Sequence, residues 1–241
     1  MLPTYILGLD LGQASDYSAL VILERQVPDT EAAARRAPQR VGPHEPEQKD
    51  ERDHEFQCRY LHRWPLRTSY PAIVADVVAR LQSEPLCLSR PQPWLAVDAT
   101  GCGAPVIDLL RAEAEAKTLR AQLEPILITG GSTVTHDRDV THCPKRDLVS
   151  VVQVALQNER LKIASALPLA GVLTKELQNF KVKISLESGH DSYGEWREGQ
   201  HDDLVLSLAL ALWIARFGND RTPDVCRSFS GVPQDWGGLR Y

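Results

Sequence analysis

The chain opens with short apolar runs broken by polar turns. Tyr5-Ile6-Leu7-Gly8-Leu9-Asp10-Leu11-Gly12 is apolar up to its glycine end and predicts a buried strand. Period-two alternation puts Ile6, Gly8 and Asp10 on one face and Leu7, Leu9 and Leu11 on the other. A polar turn over 13–17 leads to a second apolar run at 19–23, so the two strands predict an antiparallel hairpin. Residues 56–66 predict a third strand, with Cys58, Tyr60 and His62 alternating against Arg59, Leu61 and Arg63. Helical spacing follows at 70–81, where Ile73, Val74, Val77, Val78 and Leu81 recur and Pro71 suits a first turn.

The later pattern alternates between strand and helix. Residues 94–98 predict a fourth strand, 106–119 a helix and 125–129 a fifth strand, followed by a polar loop over 130–143. Pro144 opens an amphipathic helix to about residue 159. A short extended piece at 161–163 and a helix over 167–180 come next. Residues 181–185 read as extended and 186–200 as a polar loop. The last helix, 201–217, is apolar almost throughout 204–215 with Ser207 as its interruption, which marks a core helix too short to span a bilayer. Three antiparallel strands followed by β–α units predict an α/β fold: a mixed sheet, antiparallel first and then parallel, with helices on both faces.

Composition places boundaries on this picture. Residues 26–55 are rich in Pro, Glu, Arg, Ala and Gln and almost without large apolar residues, so they read as a loop insertion. Residues 1–217 then form one domain carrying that insertion, and 218–241 a Gly/Pro-rich surface tail. The N-terminus lacks the basic region of a signal peptide. Five scattered cysteines without a C-x-x-C pair indicate neither a disulfide framework nor a zinc site, and fit a reducing cytoplasm. A net charge of −5 argues against coating nucleic acid by bulk electrostatics, but not against a carboxylate-rich site acting on it.

The chemistry concentrates on acids. Asp10 ends the first strand and Asp98 the fourth, each beside glycines, while Asp202 and Asp203 lead the last helix. Alone, each reads as a turn or cap residue. Together they differ: the first and fourth strands are neighbours in such a sheet, and the last helix can lie over their ends. Converging carboxylates repel unless cations sit between them, and hard ions such as Mg²⁺ or Mn²⁺ prefer oxygen ligands. Two such ions about 3.5–4 Å apart can activate water and stabilise a leaving oxygen in phosphodiester hydrolysis. His136, His142 and Cys143 lack regular ligand spacing and are assigned no metal, and His201 reads as a neighbour of the cap.

Four segments carry a resemblance. Gly8-Leu9-Asp10-Leu11-Gly12 with Asp16-Tyr17-Ser18-Ala19, and Ala96-Val97-Asp98-Ala99-Thr100-Gly101, are the first two. His201-Asp202-Asp203-Leu204 with Ser207-Leu208-Ala209-Leu210-Ala211, and Pro144-Lys145-Arg146-Asp147-Leu148 with Glu159-Arg160-Leu161-Lys162-Ile163, are the others. In their order along the chain they resemble the nuclease domain of the large terminase subunits that cut concatemeric DNA during packaging in tailed phages. The resemblance implies an RNase H-like fold, metal-ligating and catalytic acids at Asp10, Asp98 and Asp203 with Asp202 as alternate ligand, two Mg²⁺ or Mn²⁺ ions, and double-stranded DNA as substrate. It also implies a location in a bacterial or phage-infected cytoplasm. Lys145, Arg146, Lys181, Lys183 and Arg197, with Lys175, are the candidate phosphate contacts.

Two departures qualify it. The G-x-x-x-x-G-K-[ST] pattern of the family's ATPase motor is absent, so the chain reads as an isolated nuclease domain or a stand-alone relative, with a motor, small subunit or portal on other chains as expected partners. Leu206 stands where relatives often carry a further polar residue, which shifts weight onto Asp202 and Asp203. The competing readings are a junction resolvase of the same fold, an inactive binding domain, and an actin-like ATPase or sugar-kinase domain. The last normally needs two such domains.

Overall fold

The structure, a computed structural model, describes residues 4–12, 15–26, 54–101, 103–137, 139–179 and 202–217. Its elements are β1 (Thr4–Asp10), β2 (Ala19–Gln26), β3 (Glu55–Arg63), α1 (Tyr70–Leu81), a 3₁₀ turn (Leu86–Leu88), β4 (Trp94–Asp98) and α2 (Gly103–Glu115). There follow β5 (Gln122–Thr129), β6 (Thr135–Asp137), β7 (Val140–Pro144), α3 (Lys145–Gln157), β8 (Leu161–Ile163), α4 (Ala170–Asn179) and α5 (Asp203–Phe217).

These strands make one sheet in the order β6-β7-β5-β4-β1-β2-β3-β8. The meander β1-β2-β3 is antiparallel, and β4, β5 and β7 join β1 in parallel. The mixed sheet expected from the sequence is therefore present. Its two faces are filled separately. Ile6, Ala19, Val21, Ala96 and Ile126 pack under α3, α4 and α5, while Leu7, Leu9, Leu20, Leu95 and Val97 pack under α1 and α2. Alternation along β1 thus sends Asp10 toward the face that carries the last helix.

The structure corrects three sequence expectations. First, the polar loop expected over 130–143 contains β6 and β7, and β7 pairs in parallel with β5. Its apolar signal was masked by Thr141 and His142. Thr141 is fully buried, but its hydroxyl donates to Glu124 Oε1, and a buried polar group so paired passes for a loop residue in the sequence. Pro144 accordingly ends a strand, and the helix starts at Lys145. Second, β3 stops at Arg63 rather than 66, since Pro65 has no N–H for the ladder. Third, the face assignment along β3 fails at Arg59. The register shifts between Ile22 and Leu23, so Leu23 faces Cys58 and Ile22 faces Tyr60. Arg59 is the extra residue of a β-bulge, and both Cys58 and Leu61 reach the same core. The 26–55 insertion beyond Gln26 and before His54, the 181–185 segment and the 218–241 tail lie outside the described residues.

α5 is apolar on every side and buried from Asp203 to Ala215, as a helix enclosed by sheet and helices must be. No helix among the described residues is long and apolar enough to cross a membrane. Burial also sets the thiol chemistry. It pushes Cys58 and Cys143 up to about 12, while Cys87 is half-buried. Since only the thiolate alkylates, iodoacetamide at pH 8 should leave Cys58 and Cys143 unmodified in the native protein and modify both in denaturant. Peptide mass mapping reads this directly. Native labelling of either as fast as Cys87 would contradict the packing described.

Candidate active site

Four strands bring a row of side chains to one edge of the sheet. In the parallel ladder Gly8 faces Ala96 and Leu9 faces Val97, and the next residues on the two strands are Asp10 and Asp98. On the other side Asp10 faces Ala19, which faces Arg63. The row therefore runs Asp98, Asp10, Ala19, Arg63, on the face that carries α5. Asp10 and Asp98 are 4% and 1% exposed, so their carboxylates are held away from bulk water.

The start of α5 closes over this row because Gly8 lets it. A Cβ on Gly8 would stand 1.9 Å from the Ser207 carbonyl oxygen and 3.0 Å from the Ala211 nitrogen, so helix backbone lies directly on strand backbone. Ser207 then stitches the contact. Its hydroxyl donates to the Ala19 carbonyl at 2.9 Å and accepts the Asp10 N–H at 3.3 Å. The apparent interruption of the apolar run is the residue that fixes the helix to β1 and β2. Leu206 packs in the core and offers no oxygen.

Of the acidic pair, Asp203 is 4% exposed and Asp202 half-buried, with the Asp202 carbonyl accepting the Leu206 N–H as the helix begins. The helix-terminal N–H groups of Leu204 and Val205 donate to Glu176 Oε2, at 3.1 and 3.2 Å. The carboxylate from α4 thus does the capping that the sequence assigned to the aspartates. The other Glu176 oxygen accepts from Arg63 Nη2, and the same nitrogen lies 3.2 Å from Asp203 Oδ2. The Arg63 guanidinium also stands over the Tyr17 ring, 4.8 Å from its centre. Burial pushes the Glu176 carboxyl up to about 7, against the pull of Arg63 and the Val205 N–H in the other direction.

Sequence reasoning missed Arg63 and Glu176. Arg63 sat in an alternating strand as one more polar position, and Glu176 in a helix of mixed character. The Asp98 loop is tied locally. Asp98 Oδ1 accepts the Thr100 N–H at 2.8 Å, and Thr100 Oγ1 accepts the Ile128 N–H at 2.9 Å. Gly103 is required where the chain doubles back, since a Cβ there would be 2.4 Å from the Asp98 carbonyl. Lys145 and Arg146 follow β7, which is parallel to β1, β4 and β5, and so belong to the same edge. Arg146 donates to the Ser132 carbonyl and sits 3.6 Å from Asp147. Lys175 is exposed on α4. Lys181, Lys183, Arg197 and His201 lie outside the described residues. A cleft of about 160 Å³ opens beyond Gly12, lined by Asp16, Ser18, Arg67, Thr68 and Tyr70 among others.

Asp10, Asp98 and Asp203 offer only carboxylate oxygens, a donor set whose chemistry fits a hard divalent cation. As the side chains stand, no three metal-binding groups among the described residues gather around one point. Asp203 faces Arg63 instead.

No family profile and no curated protein sequence matches the chain. Among solved structures it is similar to the large terminase nuclease from thermophilic phage G20c, at 16% identity and a TM-score of 0.45, over 87% of this chain and 81% of that one. It is similar to the human cytomegalovirus terminase nuclease domain at 14% identity and a TM-score of 0.48, over 88% and 84%. The same viral domain soaked with Mn gives 14% identity and a TM-score of 0.49, over 88% and 84%. At identities this low the likeness is one of fold.

Proposed function

We propose that this chain is a divalent-cation-dependent endonuclease that hydrolyses phosphodiester bonds in double-stranded DNA, with Asp10, Asp98 and Asp203 as its essential acids and Asp202 as an alternate ligand. The observation that carries the reading is the row of Asp98 and Asp10 on adjacent parallel strands, closed from above by the helix that begins at Asp203. Carboxylates buried together at one sheet edge call for positive charge beside them, and Arg63 supplies one such charge at Asp203. A pair of Mg²⁺ or Mn²⁺ ions bound there would supply charge neutralisation and an activated water for in-line hydrolysis.

The chain's own groups do the rest. Asp10 and Asp98 are held at rigid strand ends, so their oxygens need no reorganisation when substrate arrives. Ser207 fixes the height of α5 over Asp10, and Glu176 fixes its first turn, which sets Asp203. Lys145, Arg146 and Arg67 stand at the same end of the sheet and serve as phosphate contacts, joined in this role by Lys181, Lys183 and Arg197. Contacts of this kind position DNA without reading its sequence. The terminase resemblance of the motifs points to cutting of viral DNA during packaging, in concert with a motor, small subunit or portal.

The test is supercoiled plasmid incubated with the full chain and Mn²⁺ or Mg²⁺. Nicking and linearisation are expected, abolished by EDTA and by Asp203→Asn. Cleavage that survives both would refute the proposal, and strong preference for a four-way junction over linear duplex would move it to a resolvase.

A further inference from the structure

Arg63 has a relation to Asp203 that the proposed chemistry does not use. Its Nη2 is shared between two carboxylates from different elements, Glu176 on α4 and Asp203 at the start of α5. The two contacts are unequal. Toward Glu176 the geometry is that of a hydrogen bond. Toward Asp203 Oδ2 it is a 3.2 Å ion pair without hydrogen-bond alignment. Glu176 is anchored independently by the Leu204 and Val205 N–H groups, so Arg63 keeps a fixed, charged partner if Asp203 moves away. The side chain is 15% exposed and its face is covered by Tyr17, which leaves it little freedom to leave. A cation in this position is a competitor for the carboxylate it faces, and it is one that cannot diffuse off.

We propose that Arg63 is a positioning residue that holds Asp203 in reserve and sets the divalent-cation concentration at which that carboxylate joins Asp10 and Asp98. The inference rests on the reading of Asp203 as a metal ligand. A divalent ion entering the row must displace Arg63 from Asp203 Oδ2, and Arg63 then remains on Glu176. Two opposite charges attract more strongly where solvent is excluded than in water. Removing the guanidinium should therefore tighten Mn²⁺ binding by about tenfold, a change of about 1.4 kcal/mol. A purely structural Arg63 would lower stability and leave the affinity alone.

The experiment is calorimetric titration of Mn²⁺ into the full chain at pH 8, with thermal melts of the same samples. Arg63→Gln is expected to bind Mn²⁺ about tenfold more tightly and to gain more in melting temperature from Mn²⁺ than wild type, and Arg63→Lys to stay within about threefold of it. If Arg63→Gln does not fold, Arg63→Gln/Glu176→Gln removes the stranded carboxylate and should show the same tightening. Unchanged or weaker binding in whichever variant folds overturns the inference while leaving the nuclease reading intact. Wild-type affinity retained in both Asp10→Asn and Asp203→Asn overturns the metal reading itself, and the inference with it.

Discussion

Asp10→Asn is expected to lower the rate of plasmid cleavage at least about 1,000-fold, equivalent to about 4 kcal/mol of barrier, with the fold intact. Asp10 is flanked on one side by Asp98 and on the other by Ala19, so no neighbouring carboxylate on β2 can substitute for it. The amide is isosteric but carries no charge and is a poor ligand for a hard cation. The contact that secures Asp10 to the last helix uses its backbone N–H and the Ser207 hydroxyl, and the substitution leaves both untouched. Removing one of several negative charges from a buried row relieves repulsion, so the melting temperature without metal should hold or rise. Asp98→Asn should behave alike, since an amide oxygen still accepts the Thr100 N–H. Single-turnover nicking assays paired with thermal melts check both halves. Cleavage within tenfold of wild type would remove Asp10 from the site, and a collapsed melting transition would make its role structural.

Gly8→Ala is expected to destabilise the protein by about 3 kcal/mol or more, which at this chain length lowers the melting temperature by roughly 6–12 °C. The added methyl would meet the Ser207 carbonyl oxygen at 1.9 Å, its carbon at 2.9 Å and the Ala211 nitrogen at 3.0 Å. All three are backbone atoms, so no side chain can swing aside. α5 would have to lift, and lifting it breaks both Ser207 hydrogen bonds and opens the core along a helix buried from Asp203 to Ala215. Gly171 is the control. It lies in α4 with open space around its would-be Cβ, so Gly171→Ala should stabilise by up to about 1 kcal/mol through helix propensity alone. Equal melting temperatures for the two variants would contradict the close approach of helix and strand. Since the same helix carries Asp203, a Gly8→Ala protein that still folds should also cut poorly.

Much of the scaffold was legible in the chain because its signals are local. Period-two alternation in β1 placed Ile6, Gly8 and Asp10 on one face, and that face is the one under the last helix. An apolar stretch too short for a membrane marked α5 as core, and aspartates at the ends of two strands marked one edge of the sheet. Such patterns need only the neighbours in sequence, since a strand or helix repeats its environment every second or every third to fourth residue.

What the tertiary structure alone decided depends on residues far apart in the chain. Arg63 and Glu176 are 113 positions apart and meet only because β3 ends beside the start of α5. A lone charge in a half-buried strand looks, in sequence, like any solvated residue. The surroundings of the acidic pair were equally closed to sequence: Asp203 is buried beside Arg63 and Asp202 left half-buried, where Glu176 pins the first turn of the helix. β7 was hidden because Thr141 is buried with its hydroxyl satisfied by Glu124, and the bulge at Arg59 because one inserted residue inverts the pattern that alternation assumes. The sequence by itself determined most of the elements and singled out the four aspartates as candidates. Only packing between distant elements decided which of them face one another, because burial and charge pairing are properties of neighbours in space.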